Sequence, residues 1–264
     1  MRLQAELIAE SDAEYVETYH YDFRSRLLKA LRGTEYEDEH ETGEPMPMAF
    51  SNPFPYPASD GRIEEGDRLW MRIASPDREL LNIIAGDLGI DSEIGSGEMR
   101  FHIEDFDLHG PDVGPRGSTG VLRTDTGVVC RIPPHRREEY GIDAPEDSVH
   151  GTFWRREHAM DPFVTGITNN LNRKHDRFGE RDRRGANDLD HDLFDTYDLD
   201  KTYALPLTVT RGETHQYVLS KWDLGYTVES EDHRRLLNLL LDVGIGEKNS
   251  YGFGFVNVRD QQRN

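Results

Sequence analysis

The chain has 264 residues, enough for two domains of about 130 residues or one large one. Its hydrophobic content of 35% is low but sufficient for cores of that size, which argues against wholesale disorder. The formal charge is −20, from 51 acids against 31 Lys plus Arg. Only five of those cations are lysine (29, 174, 201, 221 and 248). An acidic, lysine-poor surface suggests adaptation to very high salt, where self-repulsion is screened over about 3 Å at 1 M. Net charge then reports the solvent and does not veto a nucleic-acid partner. No run approaches the ~18 apolar residues of a membrane span, and Glu6 interrupts the only short apolar stretch at the start, so neither a span nor a secretory leader is expected. A single cysteine, Cys130, excludes an internal disulfide framework and fits a reducing cytoplasm.

In chain order, residues 2–9 alternate like a half-buried strand. Residues 15–32 read as a helix with Phe23, Leu27, Leu28 and Leu31 on one face, stopped by Gly33. Segments 47–54 and 68–75 read as strands, Ser75-Pro76-Asp77 opens a helix over 77–89, and 98–108 alternates again. A breaker-rich stretch, 109–120, separates this unit from a second one of the same order. There, GVLRT and GVVCRIP give a strand or hairpin, and 162–178 a helix behind Pro162. Residues 204–230 give a hairpin turning at Arg211-Gly212-Glu213. Next come a helix capped near Ser230 or Glu231 and a final strand over 251–258. Segment 179–201, charged and turn-rich, reads as an insertion or mobile loop. The fold class expected is α+β, two tandem ferredoxin-like (RRM-like, βαββαβ) domains spanning 1–112 and 118–264, the second with a C-terminal glycine-rich loop.

That loop is GIGEKNSYGFG, with Gly244, Gly246, Gly252 and Gly254 around Lys248. It follows a helix and precedes a strand, the reverse of a phosphate-binding P-loop, and its spacing fails the dinucleotide pattern. A helix cap and a bulge explain one or two glycines, not four. The arrangement of Gly-apolar-Gly, five residues including a lysine, and Gly-apolar-Gly resembles the glycine-rich motif of the CRISPR-associated RNA-binding (RAMP) superfamily. It is most similar to the repeat-processing endoribonucleases with two such domains. His40-Glu-Thr-Gly leading to Met48-Ala-Phe50-Ser51 after the first helix adds to the resemblance.

The resemblance implies metal-independent cleavage of CRISPR repeat RNA in precursor crRNA. The 2′-OH attacks the adjacent phosphorus, leaving a 2′,3′-cyclic phosphate and a 5′-OH. It places the proton-transfer histidine at His40, with His20 packing or capping the first helix. Tyr36 lies near His40, and the segment 45–56 carries no lysine to complete a Tyr/Lys set. The loop glycines and Lys248 are expected to meet RNA backbone, as anion-binding nests do. Ser118 and Ser220 are candidates for holding phosphate or ribose. Arg173, Lys174 and Arg177 stand in a window, 173–184, with six basic and three acidic residues, and so are candidates for phosphate contact. Acid clusters such as Asp188/Asp190/Asp192 read as solvated surface, no Cys/His set forms a zinc site, and no metal or cofactor is expected. The partners implied are repeat RNA or crRNA and other subunits of a type I, Cascade-like effector, in the cytoplasm and away from membranes. The alternative is a non-catalytic RNA-binding subunit of such a complex.

Overall fold

The computed structural model describes residues 1–37, 46–57, 61–143, 151–179, 183–210 and 213–262. Alternation makes Arg2–Ala9 a strand (β1) that sends Leu3, Ala5 and Leu7 into the core. The two-residue strand Ala13–Glu14 (β2) precedes helix α1, His20–Ala30, which buries Phe23 and Leu27 one turn apart. Strands Ala49–Phe50 (β3), Arg62–Ile63 (β4) and Arg68–Ala74 (β5) follow. Helix α2, Arg78–Ile90, starts where the Asp77 carboxylate accepts from the Glu79 amide at 2.9 Å. Glu93–Ser96 (β6) and Met99–His109 (β7) form a hairpin that ends this half. The sheet order is β3-β5-β1-β7-β6. Without the added edge strand β6, that is second, third, first and fourth strand of a βαββαβ unit.

The second half repeats the plan. Thr119–Thr124 (β8), Arg131–Ile132 (β9) and Thr152–Phe153 (β10) lead to helix α3, Asp161–Phe178. The hairpin Thr196–Thr210 (β11) and Glu213–Thr227 (β12) is followed by helix α4, Glu231–Val243, and strand Val256–Gln262 (β13). Their sheet, β11-β12-β8-β13, again runs second, third, first, fourth. Each half has its own core. The first gathers Phe23, Phe50, Met71 and Phe101, the second Trp154, Phe163, Trp222 and Leu240. A smaller cluster of Leu205, Leu207, Tyr217, Leu219 and Phe253 lies between the second sheet and the start of α1.

Several local expectations need correction. The first helix begins at His20, not 15, and only Ala49–Phe50 of 47–54 is strand, with an isolated bridge from Phe54 to Trp70. Segment 179–201 is not wholly an insertion. Residues from Thr196 belong to β11, whose alternating Asp198 and Asp200 disguise a strand with one solvated face. The turn residues Arg211 and Gly212 lie outside the described residues, between the paired Thr210 and Glu213. The last strand starts at Val256 rather than 251, because 249–251 turn as a short 3-10 helix.

The two halves are bolted by Arg2. It is 2% exposed, lies over the Phe255 ring at 4.6 Å and donates to Leu241 O at 2.8 Å, to Val256 O and to Asn257 Oδ1. Burial pulls its guanidinium down to about 10, still charged at neutral pH. A cation on the carbonyls ending α4 also sits well with the helix dipole.

Candidate functional site

The glycine-rich loop packs at the seam between the halves. All four glycines have positive φ, and at each a Cβ would collide with protein atoms. At Gly254 it would stand 1.9 Å from Ile245 O, and at Gly252 2.6 Å from the Phe50 ring of the first half. The loop is therefore bare so that it can fold against itself and its neighbour. The amides of Gly244, Ile245, Glu247, Tyr251, Gly252 and Gly254 all donate to protein carbonyls. This corrects the expectation of an open anion nest: those donors are spent.

Lys174 is likewise corrected. It is 3% exposed and donates to Gly244 O at 2.8 Å and Gly246 O at 2.9 Å, and burial lowers its ammonium to about 7. It is a pin holding the loop, not a surface phosphate contact. Arg173 and Arg177 are exposed on the same helix, Arg177 over the Phe178 ring. Ser220 is buried, and its hydroxyl accepts from Trp222 Nε1 at 2.7 Å. Ser118 is fully buried at the far end of β8, about 20 Å of strand from the loop. Neither serine is presented to a ligand. Acidic residues do not gather either: among the described residues no group of three His, Cys, Asp or Glu is placed to hold a metal. Cys130 is buried and its thiol is pushed up to about 12.

What the loop does present is charge. Lys248, at φ 61°, is exposed, with Nζ 5.3 Å from the Tyr251 ring, whose other neighbour is Arg24 of α1, Cζ at 4.0 Å. Arg131 of β9 stands nearby, paired with Glu247. Tyr251 O meets His20 Nδ1 at 2.8 Å. Burial lowers the His20 imidazole to about 4, so the ring is neutral at pH 7 and carries its proton on Nδ1, facing that carbonyl. Stacked 4.3 Å from Tyr19 and tilted against Phe253 at 4.5 Å, His20 fills the seam as the packing residue expected. His40 lies outside the described residues. The chain resumes at Met46 and runs through Phe50 directly against the loop at Gly252. Arg24, Arg131 and Tyr251 escaped the sequence reading. The signal available was Arg24, one helical turn after His20 and so on the same helix face.

Two ferredoxin-like units meeting at a glycine-rich loop place the chain among the α+β proteins built from that unit in tandem. The family described as "CRISPR associated protein Cas6, C-terminal" matches residues 118–258. A CRISPR-associated endoribonuclease Cas6 of Haloferax mediterranei is 46% identical over 263 residues, covering 100% of this chain and 95% of that protein. Among solved structures, one titled "An RAMP protein binding different RNA substrates" superposes with TM-score 0.70 at 17% identity, covering 98% of this chain and 99% of its own. A Cas6-related protein from Pyrococcus furiosus superposes with TM-score 0.68 at 17% identity, 98% of each chain covered. This chain belongs to the Cas6 family of CRISPR-associated endoribonucleases. No helix among the described residues is long and apolar enough to cross a membrane.

Proposed function

We propose that this chain cuts CRISPR repeat RNA within precursor transcripts, using residues 1–112 as the domain of the catalytic loop and 118–264 as the domain of the glycine-rich loop. The observation that carries the reading is its 46% identity, over the whole chain, to a protein named as a Cas6 endoribonuclease. His40 moves the proton, acting on the attacking 2′-OH or on the departing 5′ oxygen. Its neighbours Glu37, Asp38, Glu39 and Glu41 favour the imidazolium and hence the acid role. Lys248 and Arg24 supply positive charge beside the loop, where a scissile phosphate gains negative charge as the phosphorane forms. No step in this scheme needs a metal ion. The product carries a 2′,3′-cyclic phosphate, works in the cytoplasm, and passes to other subunits of a type I effector complex.

The test is incubation of purified protein with its own repeat RNA in high KCl and EDTA, with mapping of the ends. Cleavage to cyclic-phosphate and 5′-OH ends supports the reading. Binding without cleavage would favour an RNA-binding subunit, and activity lost only in EDTA would favour a metal nuclease.

A further inference from the structure

Lys248 is the one residue other than glycine with a positive φ among the described residues. A lysine is strained in that region, so the loop carries a cost in order to put a long cation at this point. Three residues on, the Tyr251 amide donates to Lys248 O at 2.9 Å, and the turn brings the phenol ring back to 5.3 Å from the Lys248 ammonium. The same turn presents Tyr251 to α1. His20 donates to its carbonyl at 2.8 Å, and Arg24, one helical turn further along, lies over its ring at 4.0 Å.

Arg24 is the telling group. It is half-buried, and among the described residues it has neither an ion pair nor a hydrogen bond; its Nε is closed off from solvent without a partner. The groups around it are the phenols of Tyr251 and Tyr21 rather than carboxylates, in a chain with 51 acids. Lys248 forms no ion pair among the described residues either, because the neighbouring Glu247 is held by Arg131. Partial burial, and then the charges of Arg131 and Arg24, keep the Lys248 ammonium below its ordinary range, with Glu247 opposing. Two cations that repel one another are thus gathered on one ring, whose π face attracts each.

We infer that Tyr251 is a positioning residue for cleavage, whose ring holds Arg24 and Lys248 at a fixed spacing so that both face one phosphate group. The inference rests on the proposed function, which gives those two cations to the phosphorane, and adds the residue that sets their geometry. A charge stabilises a transition state best where it already stands when the negative charge develops. Without the ring, mutual repulsion and free rotamers move the two heads apart. The phenol hydroxyl has no part in this role, which separates it from acid–base chemistry.

The test measures single-turnover cleavage of the chain's own repeat RNA, and affinity for the same RNA with a 2′-deoxy sugar at the scissile nucleotide, which cannot be cut. Tyr251→Leu, which keeps apolar packing but removes the ring, is expected to slow cleavage by about 10- to 100-fold with affinity nearly intact. Tyr251→Phe keeps the ring and is expected to cleave at the wild-type rate. In an Arg24→Gln background, Tyr251→Leu should add little further loss, whereas a merely structural role would cost as much there as in the wild type. A Tyr251→Phe variant as slow as Tyr251→Leu would overturn the inference in favour of the hydroxyl. Wild-type cleavage by Tyr251→Leu would overturn it and leave the proposed function standing. Should Tyr251→Leu fail to fold, the Arg24 Nε–H resonance of the wild type decides: a ring-current shift upfield supports the pairing, and an unshifted resonance overturns it. A wild type that leaves repeat RNA uncut yet shows this shift, lost in Tyr251→Leu, would keep the positioned pair and overturn the cleavage reading.

Discussion

At the residue scale two histidines are to be told apart: His20, packed at the seam, and His40, to which the proposed function assigns the proton transfer. His20 is a neutral wedge at the seam, and its ionisation is linked to folding. Its folded pKa, about 4, lies below the ordinary 6.5. Between those values the unfolded chain binds the extra proton, so this contribution to stability is complete above about pH 6.5 and is lost as pH falls toward 4, about 3 kcal/mol in all. Urea titrations across that range are expected to show the slope in the wild type and to lose it in His20→Gln. His20→Ala is expected to cost about 2–3 kcal/mol through lost stacking and an unpaired Tyr251 carbonyl. His40→Ala is expected to slow single-turnover cleavage by about 10²–10⁴-fold with RNA affinity nearly intact. Cleavage at the wild-type rate in His40→Ala, with His20→Ala inactive in a folded state, would exchange their roles.

At the scale of the element, the glycine-rich loop is a self-packed arch. Gly254→Ala is expected to destabilise by about 2–4 kcal/mol, because its Cβ meets Ile245 O and the residue is left-handed. Gly33, at φ +74° with nothing within 4 Å of its Cβ, is the control that isolates backbone strain. Gly33→Ala should cost only about 1–2 kcal/mol. If the two variants melt alike, packing contributes nothing at Gly254. Lys174→Met removes the donor to Gly244 O and Gly246 O, which is expected to loosen the loop by about 1–3 kcal/mol. Faster hydrogen exchange at the Ile245 and Glu247 amides, with α4 still protected, is the signature. The placement of Lys248 thus depends on a buried lysine that holds the loop from beneath.

For the whole molecule, the balance is between a charge of −20 and a seam in which the buried Arg2 is one of the ties between the halves. Raising KCl from about 0.1 M to about 2 M shortens the screening length several-fold and is expected to raise Tm by about 5–10 °C. Cleavage activity against KCl should rise before it falls. A Tm that falls steadily with KCl would count against adaptation to salt. Arg2→Met is expected to lower Tm further at low salt than at high salt, since the halves then repel without their bolt.

The sequence by itself determined the repeated βαββαβ order. Alternation in 2–9, 68–75 and 98–108, the helical stripe at Phe23 and Leu27, the helix opening at Ser75-Pro76-Asp77 and the cap at Ser230 are local signals that the structure keeps. The glycine spacing likewise pointed to the family, because four positive-φ positions leave a mark no side chain can hide. Only the tertiary structure decided what those glycines and cations face. Lys174 reads as a surface cation until α3 is laid under the loop, and Ser220 as a free hydroxyl until Trp222 comes within hydrogen-bond reach. The strand from Thr196 was hidden by its acids, and the approach of Lys221 to the Tyr56 ring joins segments that meet only when the two halves pack together. Local pattern fixes an element's shape, but what a side chain touches is set by partners far away in sequence, and those appear only on folding.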